Sequence, residues 1–507
     1  MKGFDRYPLI DFSELNRCVL CYEAPCTAVC PRGILASDSL RSLYFLNGMG
    51  ALERISGLSC EGCDAPCEKA CVLNAKSYPV RIKWILNSLR GGGREYFEDL
   101  KDKQESDLST EVCGVPLENP FLLSSSVVAS SYEMCAKAFS AGWAGASFKT
   151  ICNFPQHEAS PRFSSISSHS NSFCGFKNIE QLSDHSVEEN MEVFRRLKKD
   201  FPTKVIIASI MGQDEEEWTT IAAKCQDAGA DLIECNFSCP NMENRDLGST
   251  IGQDPVLVER FTAAVRRGTS LPILAKLTPN VADMVPVALA ARRGGANGIS
   301  AINTLYSITG VDILSFVTEP EVHGHTIVGG YSGQAVKPIA LRFISDLSRS
   351  HGLKGMSLSG MGGIENWVDA LEFLVLGASS LQVTTAVMQY GYRIIEDLVS
   401  GLDYYMRAMG FRNIPSLVGI AKDTIVEHNE LERDTVLLPR FNQEQCIGCG
   451  RCSIACYDGG HQAIEFDLES RKPKLIGSKC VGCHLCRLVC PSKAIGVAPK
   501  RISRRIH

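Results

Sequence analysis

Between residues 119 and 386 the chain repeats one arrangement: a short apolar or β-rich run, a turn, then a stretch whose apolar positions recur at helical spacing. The short runs are NPFLLSSS (119–126), AGASFKT (144–150), KVIIASIM (204–211) and ADLIECNFS (230–238). They continue with LPILAKLT (271–278), NGISAINT (297–304), GMSLSGMGG (355–363) and ASSLQVTTA (378–386). Between them, EENMEVFRRLKKDF, EEEWTTIAAKCQDAG and WVDALEFLVLG carry helical patterns. Eight strands interleaved with helices predict an α/β fold, a (β/α)8 TIM barrel over 110–415. A doubly wound sheet would use similar elements, but no G-x-G-x-x-G opens a first strand–helix turn, so a built-in dinucleotide fold lacks support.

On either side of the barrel the composition changes. Residues 1–100 are rich in cysteine and predict a mostly helical domain. It closes on VRIKWILNSLRGGGREYF, where an amphipathic run meets Gly91, Gly92 and Gly93, which read as a break. After a linker at 416–440, cysteines return in a small domain over 441–507, expected to be α+β and like a bacterial ferredoxin. Within the barrel, 305–333 is too long for an ordinary strand–helix connection. Long loops on an active face are often lids, a rigid surface excursion being the alternative. His323 and His325 in this loop are expected to be exposed rather than catalytic.

With 507 residues, 45% hydrophobic and 21% charged, the chain can bury several cores. A net charge of -5 speaks against a nucleic-acid binder, which needs a concentrated basic surface. The basic tail KRISRRIH reads as a solvated chain end. No apolar run is long enough to span a membrane, and MKGFDRYPLIDF has no leader pattern, so the expected compartment is the cytoplasm. Thiols are kept reduced there, and 23 cysteines point to metal binding or catalysis rather than disulfides.

The C-terminal cysteines carry the most specific pattern. Cys446, Cys449, Cys452 and Cys456 follow C-x2-C-x2-C-x3-C, and Cys480, Cys483, Cys486 and Cys490 repeat it. Three thiolates in a tight turn reach three corners of an iron–sulfur cube, and the fourth reaches the neighbouring cube. Two 4Fe-4S clusters are therefore predicted, with Cys490 completing the first set and Cys456 the second. One departure is Tyr457, where proline usually follows the fourth cysteine. Near the N-terminus, Cys18, Cys21, Cys26 and Cys30 have spacings x2, x4, x3, and Cys60, Cys63, Cys67 and Cys71 have x2, x3, x3. Zinc is an alternative at these spacings. Two further 4Fe-4S clusters fit better, because cysteine-rich modules on both sides of one central domain suggest an electron conduit, and zinc does not conduct.

On a barrel, Lys149, Asn236, Lys276, Asn303, Thr304, Gly362, Gly363, Thr384 and Thr385 all fall at or just after C-terminal strand ends, the active face. The seventh and eighth strands end in SGMGGI and VTTA, where glycines let backbone N–H groups approach an oxyanion and hydroxyls add donors. That is a phosphate cradle. With two lysines beside it, an FMN site is the natural reading, one lysine stabilising the reduced, anionic ring.

The stretches NFSCPN, GQDP, AKLTPNV, INTLYSITGVD, GGYSGQAVKPIAL and GMGGIENWVDALEFLVLGASSLQVTTA, followed by the double cysteine motif, resemble the FMN and iron–sulfur subunits of the dihydropyrimidine dehydrogenase family. The likeness runs over about 110–500 and extends more loosely to dihydroorotate dehydrogenases. The motif at 18–31 is similar to the cluster domain that in this family precedes FAD and NAD(P)H domains; here it joins the barrel directly. In the animal relative a glutamine completes one N-terminal cluster, a place that Cys60 could fill in this chain.

The resemblance implies reduction of the 5,6 double bond of uracil or thymine, or its reverse. It makes Cys239 the general acid or base at carbon 5 while flavin exchanges hydride with carbon 6, and it leaves Cys235 structural. A thiol with an ordinary pKa near ~8.5 suits that exchange. It implies that Asn178, Asn236, Ser238, Asn303 and Thr304 hold the pyrimidine, carboxamides matching its amide edge. It implies that Ser124, Ser125, Lys149, Thr150, Asn178, Lys276, Gly333, Gly362, Gly363, Thr384 and Thr385 hold FMN. Electrons would come through the clusters from a partner, a flavoprotein with FAD and NAD(P)H sites or a reduced ferredoxin, in a homodimer or heterotetramer. The rival readings are a dihydroorotate dehydrogenase and a non-catalytic electron-transfer subunit.

Overall fold

Each of the eight apolar runs contains one strand of a closed barrel. The strands are β1 (Phe121–Leu123), β2 (Gly145–Ser147), β3 (Val205–Ile210), β4 (Leu232–Asn236), β5 (Ile273–Lys276), β6 (Gly298–Ala301), β7 (Ser357–Met361) and β8 (Ser380–Val383). All pairings are parallel and follow chain order, and β8 returns to β1 to close the ring. Strands covered by a core inside and helices outside must be apolar on both faces, which is why these segments read as unbroken apolar runs. The expected helices lie between them at Val187–Asp200, Glu215–Asp227 and Trp367–Leu376. Two begin with capping boxes, Ser186 with Glu189 and Asn366 with Asp369, and Asp214 caps the third. Closure of the sheet rules out a doubly wound architecture. This computed structural model describes residues 12–55, 57–101, 103–154, 156–167, 173–239, 248–499 and 502–503.

Over the C-terminal mouth sits an antiparallel sheet of Phe163–Ser167, Phe173–Asn178, Gly329–Ser332 and Leu305–Ser307. The stretch 305–333 is therefore a hairpin whose returning strand also pairs with Phe173–Asn178, so it is anchored at both ends. His323 and His325 are exposed, as expected.

The glycine run departs from expectation. A single helix, Ile82–Lys101, passes straight through Gly91, Gly92 and Gly93. Glycine in a helix interior costs about 1 kcal/mol relative to alanine. Here Ile85, Leu86 and Leu89 before the run and Phe97 and Leu100 after it enter one buried core, and that packing outweighs the propensity.

The chain forms two compact units, Met1–Lys422 and Asp423–His507. In the first, the cysteine-rich segment is fastened to the barrel by the helix Ile394–Met409. Its Asp397, fully buried, accepts from Ser42 Oγ at 2.6 Å and Asn47 Nδ2 at 3.0 Å, and Arg41 Nε lies 3.3 Å away. Arg41 also pairs with Glu396 at 2.6 Å, and Trp367 Nε1 donates to the Leu46 carbonyl at 2.9 Å. Phe45 enters the barrel's own core and meets Tyr390 edge-on at 5.0 Å.

The second unit is α+β. Pro439–Phe441 pairs with Ile495–Val497 and Ile464–Asp467 with Lys472–Leu475, around helices Arg451–Gly459 and Leu485–Leu488. Cys456 lies inside the first helix, so Tyr457 continues a helix where a proline would stop it. The basic tail is not wholly a loose end, since Ile502–Ser503 pairs with Thr435–Val436; the chain beyond 503, like the first eleven residues, lies outside the described residues. Among the described residues no helix is long and apolar enough to cross a membrane.

Candidate functional site

The site is built upward from an unusual layer inside the barrel. Such barrels are filled by layers of side chains from alternate strands, mostly branched and apolar. Here Ser147 of β2, Glu234 of β4, Ser300 of β6 and Gln382 of β8 meet instead. Ser147 Oγ donates to the Glu234 carboxylate at 2.9 Å, Ser300 Oγ at 2.8 Å and Gln382 Nε2 at 3.0 Å. All four are buried. Lys276, on β5, brings its Nζ to 3.9 Å from Glu234 and donates to Ser124 Oγ at 3.4 Å.

Above Lys276 a cavity opens at the C-terminal ends of the strands. One end of it brings together the residues expected to cradle an anion. Gly333, Gly362 and Gly363 line it with positive φ, next to Thr384 and Thr385. A Cβ on Gly363 would stand 2.9 Å from the Gly333 carbonyl and 3.0 Å from the Lys337 amide nitrogen, so only glycine fits there. Ser332 and Thr385 hydroxyls bond at 2.9 Å, and Ser126 and Thr384 at 3.3 Å. Glu365 also lines the cavity; burial first, then the neighbouring Asp369, pushes its carboxyl up to about 7.

Toward the other end, Ser124, Ser125, Lys149, Thr150, Asn178, Asn236, Cys239, Lys276, Asn303 and Thr304 line the same cavity. A continuous chain of hydrogen bonds orders Ser125, Thr150, Asn236, Asn303 and Thr304. Asn303 Nδ2 donates to Ser238 Oγ at 2.6 Å, Ser238 Oγ to Asn236 Oδ1 at 2.9 Å, and Asn236 Nδ2 to Thr150 Oγ1 at 2.8 Å. Thr150 in turn meets Ser125 and Ser209, and the Thr304 amide donates to Asn303 Oδ1 at 2.8 Å. Each carboxamide keeps a second N–H for another partner, and Asn303 Oδ1 keeps a second lone pair, whereas Asn236 Oδ1 also accepts from the Ser238 amide at 3.2 Å. Ser238 itself does not reach the cavity; fully buried, it bridges two residues that do. Asn178 Nδ2 donates to the Gly330 carbonyl at 3.3 Å, in the sheet over the mouth. Cys239 is on the cavity wall, whereas Cys235 is sealed within the barrel, where burial holds its thiol far above the usual range.

Several residues of the site were absent from the sequence expectation. Lys149 lies between Glu158 at 3.4 Å and Glu180 at 3.9 Å, and Arg162 approaches the same pair at 3.7 and 3.4 Å. Glu180 and Gln181 line the cavity. Glu234 and Gln382 gave a readable signal, being polar residues inside apolar strand runs. Glu158 and Glu180 gave none, since carboxylates in loops are ordinary.

The cysteines gather around four further cavities. Cys446, Cys449, Cys452 and Cys490 line one, and Cys456, Cys480, Cys483 and Cys486 another. In the N-terminal segment Cys18, Cys21, Cys26 and Cys71 line a third, and Cys30, Cys60, Cys63 and Cys67 a fourth. Among the described residues, no three His, Cys, Asp or Glu side chains converge as a single ion requires.

Comparison with known proteins agrees with this construction. Residues 107–406 match the family model for dihydroorotate dehydrogenase, and residues 440–497 that for a 4Fe-4S dicluster domain. The chain is 54% identical over 385 residues to the NAD-dependent dihydropyrimidine dehydrogenase subunit PreA of Escherichia coli, covering 76% of this chain and 94% of that one. It is 34% identical over 341 residues to the chloroplastic dihydropyrimidine dehydrogenase (NADP(+)) of Arabidopsis thaliana, covering 65% and 80%. To the catalytic subunit of dihydroorotate dehydrogenase B (NAD(+)) of Pyrococcus horikoshii it is 37% identical over 315 residues, covering 62% and 97%. A crystal structure of the Eimeria tenella dihydroorotate dehydrogenase in complex with ferulenol superposes with a TM-score of 0.52 at 18% identity, covering 63% of this chain and 89% of that one, a likeness of fold alone. The two family matches imply flavin and iron–sulfur cofactors. The chain belongs to the dihydroorotate dehydrogenase family.

Proposed function

We propose that the protein reduces the 5,6 double bond of uracil or thymine to the 5,6-dihydropyrimidine, or runs the reverse. The observation that carries this reading is Cys239 on the wall of a cavity whose Asn236 and Asn303 carboxamides are held in place by Ser238. Bound FMN would supply or accept hydride at carbon 6. Gly333, Gly362, Gly363, Thr384 and Thr385 would hold its phosphate, and Ser124, Ser125, Lys149, Thr150, Asn178 and Lys276 the rest. Cys239 gives its proton to carbon 5 in the reducing direction and recovers it from solvent. Asn178, Asn236, Asn303 and Thr304 present donors and acceptors to the ring's amide and carbonyl groups, with Ser238 fixing two of them. Burial of the cavity floor keeps water from competing for those bonds.

The four cysteine sets would each hold a 4Fe-4S cluster, the fourth thiol of each set coming from the neighbouring motif, in an N-terminal cluster domain (1–100) before the catalytic barrel in the sequence and a ferredoxin-like domain (441–507) after it. A separate flavoprotein carrying FAD and NAD(P)H sites supplies the electrons in the cytoplasm, in keeping with the subunit character of the Escherichia coli relative. A dihydroorotate-type substrate would add a carboxylate in need of a cation. Lys149 and Arg162 are both already beside Glu158 and Glu180, which favours a neutral pyrimidine.

The test is steady-state assay of the purified chain with reduced methyl viologen against uracil, thymine and orotate. Turnover of uracil or thymine is expected. Turnover of orotate alone would assign the dihydroorotate reaction, and no turnover of any would make the chain an electron-transfer subunit.

A further inference from the structure

Glu234 is a buried charge that neither the barrel nor the proton transfer requires. Its layer is the place where such barrels put branched apolar side chains. A buried carboxylate costs more to desolvate than a packed hydrocarbon, and a buried ion pair is on balance no better for stability than an apolar pair. Its surroundings are nonetheless arranged for the ionised form. Ser147, Ser300 and Gln382, from the three other even-numbered strands, all donate to it, and Lys276 is the cation above it.

The geometry of the Lys276 contact is informative. At 3.9 Å the ammonium is outside hydrogen-bonding distance of the carboxylate, and its one bond among the described residues is a long one, to Ser124 at 3.4 Å. Three donors hold the carboxylate down in its own layer, while Lys276 lines the cavity above. The result is a vertical stack: carboxylate, ammonium, cavity.

We infer that Glu234 is a positioning residue that sets the reduction potential of the flavin by partly neutralising Lys276 from below. The inference rests on the flavin reading above. When the isoalloxazine takes up two electrons and one proton it becomes an anion, and the Lys276 charge favours that form. Glu234, one layer deeper, opposes it. Glu234 and Lys276 are both buried, so solvent screens them weakly and the balance of the pair is felt at the ring.

The experiment is a potentiometric titration of FMN in the full-length holoprotein, with xanthine and xanthine oxidase as reductant and reference dyes, comparing wild type with Glu234→Gln. Removing the carboxylate should make reduction at least tenfold more favourable, a positive shift of about 30 mV for a two-electron couple. Sulfite, which adds to the ring as an anion, should bind at least tenfold more tightly. Ser300→Ala is the second variant. It keeps the charge but removes one donor, leaving the carboxylate stronger, and should move the potential in the negative direction. A purely structural Glu234 would change thermal stability in both variants and the potential in neither, and that result overturns the inference. So does a negative shift in Glu234→Gln. If Glu234→Gln does not retain FMN, Ser300→Ala decides: a negative shift supports the inference and no shift overturns it. Wild-type protein that takes up no FMN would instead overturn the flavin reading itself.

Discussion

Cys235 and Cys239 leave the same strand and meet different surroundings. The first is fully enclosed and its thiol is pushed far up by burial; the second borders the cavity beside Asn236 and Asn303. Cys239→Ala should lower kcat for uracil reduction by about 10²–10⁴, the usual contribution of a positioned acid. FMN content should stay the same, as measured by steady-state rates and the flavin spectrum. Glu365 gives a second residue-scale prediction. Its carboxyl keeps its proton up to about 7 in the folded protein, whereas an unfolded chain releases it near ~4.3. Its contribution to stability is therefore complete below ~4.3 and is lost as pH rises through about 7. Glu365→Gln should match the parent's thermal midpoint at pH 4 and exceed it at pH 8, by up to about 3 kcal/mol, read by scanning calorimetry. Most of the cavity residues were legible because strand ends on a barrel share one face. Glu180 and Glu365 were not, since their proximity is set by long-range packing that local pattern does not encode. Ser238 was legible as a member of the site, but not its place behind the cavity wall.

At the scale of elements, the eight strands could be read because burial on both faces leaves an unbroken apolar run bounded by turns. The same reading failed at Gly91–Gly93, where propensity pointed to a break and the shared core of Leu89 and Phe97 carries the helix through. The hairpin within 305–333 was also hidden, because its returning strand pairs with Phe173–Asn178, more than a hundred residues earlier in the chain. The fastening of the N-terminal segment lay equally out of reach, depending as it does on Asp397 meeting Ser42, Asn47 and Arg41. Removing one partner of a buried charged network costs about 3–5 kcal/mol. Asp397→Ala should lower stability by that order in denaturant titration and expose the Ala36–Tyr44 segment to limited proteolysis, while the circular dichroism of the barrel persists.

For the whole molecule, the cysteine sets make a countable claim. Anaerobically prepared protein should contain about sixteen irons and as many acid-labile sulfides per chain, four cubes of four. About eight irons with bound zinc would show the N-terminal module to be structural. The C-terminal pairing could be read from a repeated spacing; the N-terminal pairing could not, and emerges only where Cys71 is folded beside Cys18 and Cys30 beside Cys60. That crosswise sharing bears on how the protein matures. Each turn lends its last thiol to the other turn's nest, so a cluster seated in either would tie together two distant stretches of chain and prearrange the vacant nest. Loading should then be all-or-none within each module, and protein recovered from iron-starved cells should divide into filled and empty populations, with few half-filled molecules between them.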